Sequence, residues 1–195
     1  MHLDITGGNV GRPDEKVTVL NKAGFVLVCA FWQSYCEEVL FEILLAYKKG
    51  KSRDVPTALR VALGNKALRD QKNIDPLTCW SFTGAGWRAE LQGLVDYLMG
   101  DKSRPLDAPT SDNIDTVFLK YLGVRDLSSR WYWAKMSAEQ ARTKLNDAIT
   151  RRHRLAHRGR DTASTRKKHV TDFSNHVKRL AGKTETVLRN EKLIK

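Results

Sequence analysis

Between Phe25 and Leu45, apolar residues fall on nearly every side of a helical projection. The run lies inside a longer stretch, Pro13 to Lys49, with no internal proline and one glycine. Asp14 and Glu15 near its start and Lys48 and Lys49 at its end suit the helix dipole. The pattern predicts one long helix covered all round, by its own bundle and by a second copy of the chain. Thr57 to Gln71 reads as a shorter amphipathic helix, and Trp87 to Met99 as a third, stopped by Gly100. Asn113 to Leu122 is a fourth, with Gly123 at its C′ position. Ser137-Ala-Glu-Gln140 forms a capping box that opens a helix closed by Gly159. A final helix from Thr165 to Arg189 turns Val170, Phe173, Val177, Leu180 and Val187 or Leu188 inward. Between these, Asn73 to Gly86 and Asp101 to Ser111 are irregular, and Ser128 to Trp133 is short and aromatic. Strand-like alternation, repeats and low-complexity tracts are missing, so the expectation is an all-α bundle. It forms one domain over residues 13–195, after a flexible arm of residues 1–12.

Composition changes this picture in one respect. The chain has 195 residues, 41% hydrophobic and 29% charged, ordinary for a single globular domain. Its formal charge of +12 is not ordinary, and it is unevenly placed. Residues 1–150 carry 20 Lys/Arg against 18 Asp/Glu, whereas residues 151–195 carry 14 against 4. A polyanion, most simply nucleic acid, is the natural partner of such a segment. The competing reading is a solvated basic helix. Cys29, Cys36 and Cys79 are odd in number, and two of them lie in an apolar helical run. Reduced core thiols and a cytoplasmic location follow as expectations. Met1 to Gly8 lacks the features of a secretory signal, and the apolar run Ala23 to Trp32 is too short to span a bilayer. No membrane partner is expected.

The basic excess begins at a compact motif, Leu145-Asn-Asp-Ala-Ile-Thr-Arg-Arg-His-Arg-Leu-Ala-His-Arg-Gly159. On a helix, Ala141, Leu145, Ala148, Ile149, Leu155 and Ala156 form an apolar stripe with Arg152 near its middle. Arg151, Arg154 and Arg158 point away to solvent. A core-facing arginine must be paired or must face a cleft, because an unpaired buried charge is costly. Glu37 and Glu38 of the first helix are the expected partners. His153 and His157 have the i,i+4 spacing of a metal-binding pair, but the helical zinc motif needs Glu at the position of Arg154. Five arginines between 151 and 160 would also repel a dication, so neither a metal nor another cofactor is expected. Trp32, Tyr35, Trp87, Trp131 and Trp133 read as core or interface residues rather than base-stacking platforms. His2, His169 and His176 read as surface residues.

The chain resembles the HEPN superfamily, and within it the RiboL-PSP-HEPN family and its bacterial relatives. Arg152 and His157 match the R-x4-6-H pattern, with His153 as the polar residue after the arginine. The similarity extends to Ala30–Glu38, to Ala108–Gly123 and to the final amphipathic helix. The first-helix pattern often has an acid where this chain has Gln33. The resemblance implies a metal-independent endoribonuclease acting as a homodimer through the first helix and the motif helix. It also implies a toxin, with an antitoxin or adjacent-gene partner, or an antiphage-defence protein. Some relatives are inactive modules that bind nucleic acid or a partner protein, and others sit beside nucleotidyltransferases.

The residue chemistry agrees independently. RNA carries its own nucleophile, the 2′-OH, and its cleavage needs proton transfer and positive charge on the phosphorane. His157 and His153 have the right pKa range for the first, and Arg152 binds phosphate oxygens for the second. His157 is the expected general acid or base, and His153 an auxiliary. Arg151, Arg154, Arg158, Arg160, Arg166, Lys167 and Lys168 are the expected RNA-backbone contacts.

Overall fold

The computed structural model describes residues 15–51, 55–69, 84–100, 105–158 and 165–194, except for the side chains of 66–69 and 157–158. The expected arm of residues 1–12, most of the irregular segment 73–86, Cys79, Gly159 and Arg160 lie outside the described residues. Six α-helices are described: α1 (Glu15–Lys49), α2 (Thr57–Arg69), α3 (Trp87–Met99), α4 (Ser111–Leu122), α5 (Ala138–Arg158) and α6 (Lys167–Asn190). A short 3-10 turn, Leu127–Arg130, joins α4 to α5. The described residues contain no named strand, only an isolated bridge between Trp133 and Met136. The fold is all-α.

Helix α1 is the axis of the bundle and touches α3, α4, α5 and α6. Phe25, Cys29, Trp32, Cys36, Leu40, Ile43 and Leu44 are its buried apolar residues. They recur every three or four positions, as one helical face requires. The opposite face differs between its two halves. Val19, Leu20, Ala23, Leu27 and Phe31 are exposed toward the N-terminus, then Ser34, Glu38 and Glu42. Among the described residues α1 is long and apolar enough to cross a membrane. Its buried stripe and four helical neighbours give it the place of a core helix.

Aromatic residues knit the centre. Trp32 meets Trp131 edge-on at 5.8 Å, and their indole N–H groups donate to the Pro109 carbonyl at 3.2 Å and to Thr184 Oγ1 at 3.0 Å. Tyr35 donates its hydroxyl hydrogen to the Ala181 carbonyl at 3.0 Å, fixing α1 against α6. Asp115 of α4 accepts from both the backbone N–H (2.7 Å) and the hydroxyl (2.6 Å) of buried Ser128, which holds the 3-10 turn in place.

Helix boundaries follow local chemistry. Thr110 caps α4, and Gly123 ends it in the left-handed region at φ 73°. The capping box at α5 forms as expected: Ser137 Oγ accepts from Gln140 N at 3.2 Å, and Gln140 Oε1 accepts from Ser137 N at 2.9 Å. Cys29 and Cys36 are buried free thiols. His176 departs from its expected surface position. It is 3% exposed, and its Nε2 lies 3.1 Å from the Ala141 carbonyl. It falls three residues after Phe173 and four before Leu180, so it shares the buried stripe of α6. His169 is half-buried and accepts from the Arg166 N–H at 3.2 Å, closing the start of α6.

Candidate nucleic-acid site

Helices α1 and α5 cross antiparallel. The Arg151 guanidinium lies over the Phe25 ring at 5.2 Å, and one turn along each helix the Cys29 thiol meets the Ala148 carbonyl at 4.0 Å. Small side chains at 29 and 148 allow this approach. The contact sets the angular phase of α5, and with it the direction of Arg152.

Arg152 is half-buried and lines a cleft of about 250 Å³. Ala30, Gln33, Ser34, Glu37 and Phe41 of α1 form one wall, and Leu98 and Met99 of α3 another. Glu37 accepts a hydrogen bond from Gln33 Nε2 at 3.3 Å. Arg152 donates weakly to the Asp107 carbonyl at 3.5 Å. Among the described residues Arg152 and Glu37 share the cleft without closing an ion pair. The guanidinium therefore keeps donors for an anion that enters the cleft. Its field reaches Cys29, where burial nevertheless dominates and pushes the thiol up to about 12.

The loop that carries Asp107 is pinned in three places. Trp32 binds the Pro109 carbonyl, Asn113 Nδ2 binds the Ala108 carbonyl at 2.7 Å, and Asn146 of α5 brackets Ser111. Asn146 accepts from the Ser111 N–H at 2.9 Å and donates to Ser111 Oγ at 3.0 Å. This wall of the site is tied to the helix that bears the motif.

The other expected site residues scatter. Glu38 is exposed and does not line the cleft, so the structure brings Glu37 alone of the two acids to Arg152. His153 is exposed and also lies outside the cleft lining. His157 lies on α5, and its side chain is outside the described residues, as is that of Arg158. Arg151 corrects the expectation of a solvent-facing residue: it is half-buried over Phe25 and donates to Thr165 Oγ1 at 3.0 Å. Ala156, placed on the apolar stripe, is exposed. Arg154, Arg166, Lys167 and Lys168 are exposed. Sequence reasoning missed Ser34, Leu98, Met99 and the Asp107 carbonyl, none of which carries a local signal.

The described residues thus form an all-α domain in which a basic helix packs on a long apolar helix and brings Arg152 to a cleft between them. The family model for RiboL-PSP-HEPN matches residues 2–190, and the chain belongs to that family and so to the HEPN superfamily. HEPN domains are frequently ribonucleases. No curated protein and no solved structure matches the chain.

Proposed function

We propose that this protein is a metal-independent endoribonuclease. Arg152 binds the scissile phosphate, His157 transfers the proton as general acid or base, and His153 assists. The 2′-OH attacks phosphorus, the bond to the 5′-oxygen breaks, and the products carry a 2′,3′-cyclic phosphate and a 5′-hydroxyl. The observation that carries this reading is Arg152, held half-buried in a polar-lined cleft with its guanidinium not ion-paired to Glu37, on a chain of this family. Among the described residues no three His, Cys, Asp or Glu side chains converge as a metal site.

On an ideal helix Arg152 and His157 diverge by about 140°. One copy then offers its two key groups to different directions, and a second copy completes the site. The exposed apolar stripe of α1 borders a groove of about 550 Å³, lined by Val19, Ala23, Val26, Leu27, Ala30 and Leu155 among others. Ala30 belongs to both this groove and the Arg152 cleft, so a partner seated on the stripe adjoins the cleft. A homodimer through α1 and α5 is the proposed assembly. A toxin or antiphage role in the cytoplasm, with an antitoxin or adjacent-gene partner, fits the same activity.

The test is incubation of purified protein with total RNA in EDTA. Cleavage persists on this reading, and His157→Ala lowers it by about 10²-fold or more. Arg152→Ala lowers it as well, with circular dichroism as the folding control. DNA is bound but not cut, because it lacks the 2′-OH. Equal cleavage by wild type and His157→Ala, or strict dependence on a divalent ion, removes the mechanism. A non-catalytic module that binds nucleic acid or a partner protein then takes its place. The observation that favours this second reading is that the one-copy cleft is lined by Arg152 and not by His153.

A further inference from the structure

Away from the Arg152 cleft, a second basic surface is built with aromatic rings. The turn Trp133–Met136 is closed by two backbone hydrogen bonds, 3.1 and 2.9 Å, with Lys135 in the left-handed region at φ 64°. This tight turn holds Tyr132 and Trp133 against α6. The Arg179 side chain lies over the Trp133 ring at 5.7 Å, and Lys183 lies over the Tyr132 ring at 5.4 Å. Tyr132 is 60% exposed, an unusual place for a ring with no core role. Beside these rings is a pocket of about 270 Å³ lined by Trp133, Met136, Lys144, Asp172, Asn175, His176 and Arg179. Its acid, Asp172, is drawn to Lys168 at 3.7 Å. Lys168, Asp172, Asn175, Arg179 and Lys183 follow one another at intervals of three or four residues, so they form a single stripe along α6.

His176 supplies a polar floor. Burial lowers its pKa to about 4, so the ring is neutral. A neutral ring that donates from Nε2 to the Ala141 carbonyl keeps Nδ1 as an acceptor. Asn175 adds an amide that both donates and accepts.

We propose that this pocket and the adjoining rings seat one nucleotide of a single-stranded RNA. The base lies against Tyr132 and Trp133, and its polar edge meets Asn175 and His176. The backbone phosphate meets Lys144 and Arg179. A volume just under the ~300–1,000 Å³ of pockets that enclose drug-sized ligands suits one base rather than a large cofactor. Aromatic rings beside a cationic groove are a recurring way to hold single strands. Only the choice of polymer rests on the RNA reading of the cleft.

The experiment is binding of the full chain to an uncleavable 2′-O-methyl oligoribonucleotide of about 12 nucleotides, followed by fluorescence anisotropy. Tyr132→Ala and Arg179→Ala each weaken binding by about tenfold, while Tyr132→Phe, which keeps the ring, retains it. Trp133→Phe reduces the quenching of tryptophan emission on binding. Duplex RNA, whose bases are stacked inside, binds wild type and Tyr132→Ala alike. The Tyr132→Ala loss persists in an Arg152→Ala background. Wild-type affinity in both alanine variants, or the same loss with duplex RNA, overturns the platform. Displacement of the strand by micromolar adenosine or uridine monophosphate overturns the strand as its ligand. Cleavage of unmodified RNA, measured in parallel, reports separately on Arg152 and His157. The platform can therefore fall while the ribonuclease reading stands, and the reverse.

Discussion

His176 shows where residue-level reading of the sequence stops. It reads from sequence as a surface residue, yet it falls on the buried stripe of α6 between Phe173 and Leu180. Its polarity argued for the surface, and nothing local announced the Ala141 carbonyl that receives its Nε2. The same competition misplaced Arg151, whose stem and guanidinium cover Phe25 while its tip bonds Thr165. A long cationic side chain can lie half-buried over an aromatic ring, and sequence phase alone does not reveal it. The buried imidazole carries a pH signature. Its pKa falls from about 6.5 unfolded to about 4 folded. The unfolded chain then binds more protons between those values, so stability falls as pH drops from 6.5 toward 4. Urea midpoints taken across that window should decline on acidification, and His176→Gln should flatten the decline above pH 5. An unchanged slope would show that the ring does not titrate on unfolding.

At the scale of elements, the helices with one apolar face were the most legible. The third helix was placed at the observed bounds, and the fourth lacked only its first two residues. Their ends were read from Gly100 and Gly123, whereas the Thr110 cap was not read, which is why the fourth helix was started two residues late. Helix α1 was legible in length but not in orientation. Apolar residues on both its faces blur the angular signal, so its buried and exposed stripes separate only once α3, α5 and α6 are packed on it. The capping box lends itself to measurement. Ser137→Ala removes the acceptor for the Gln140 N–H and should cost about 1 kcal/mol in chemical denaturation. Arg152 lies four turns further along α5, so RNA cleavage at moderate temperature should change little. A loss of activity larger than the loss of folded fraction would mean that the cap also orients the site.

For the whole molecule, the charge asymmetry in the sequence pointed to a polyanionic partner, in keeping with the nucleic-acid-related function that the HEPN family suggests, although not to a site. The cleft joins residues 30–41, 98–99 and 152, which no local window contains. The sequence pointed to Arg152 through its misfit on an apolar stripe, and to Glu37 and Glu38 as the acids for it. It could not choose between Glu37 and Glu38, because that depends on the phase of α1 set by Phe25 and Cys29. Assembly is decided at this scale too. Phe31 is 62% exposed and Leu27 53%, on a stripe that continues into the cleft. Light scattering at micromolar concentration should give the mass of two chains. Leu27→Asp combined with Phe31→Asp should give one chain and impair cleavage, while far-UV circular dichroism stays the same. A wild-type monomer would leave the two-copy site without support.

The contact of Cys29 with the Ala148 carbonyl has a consequence for how the protein ages under oxidative stress. This sulfur sits at the crossing that fixes the spacing of α1 and α5, so a sulfenic acid or a mixed disulfide there would wedge the helices apart and turn Arg152 out of register. Burial keeps the thiol protonated, with its pKa near 12, and an oxidant attacks thiolate. The neighbouring Cys36 is more enclosed still, and its pKa is likewise raised by burial. Peroxide that inactivates enzymes with exposed, acidic thiols should therefore leave the crossing of α1 and α5 at Cys29 intact. Iodoacetamide followed by mass spectrometry should find Cys29 and Cys36 unmodified in the native protein and labelled in urea. Under oxidative stress this crossing would keep its spacing after more reactive thiols had been consumed.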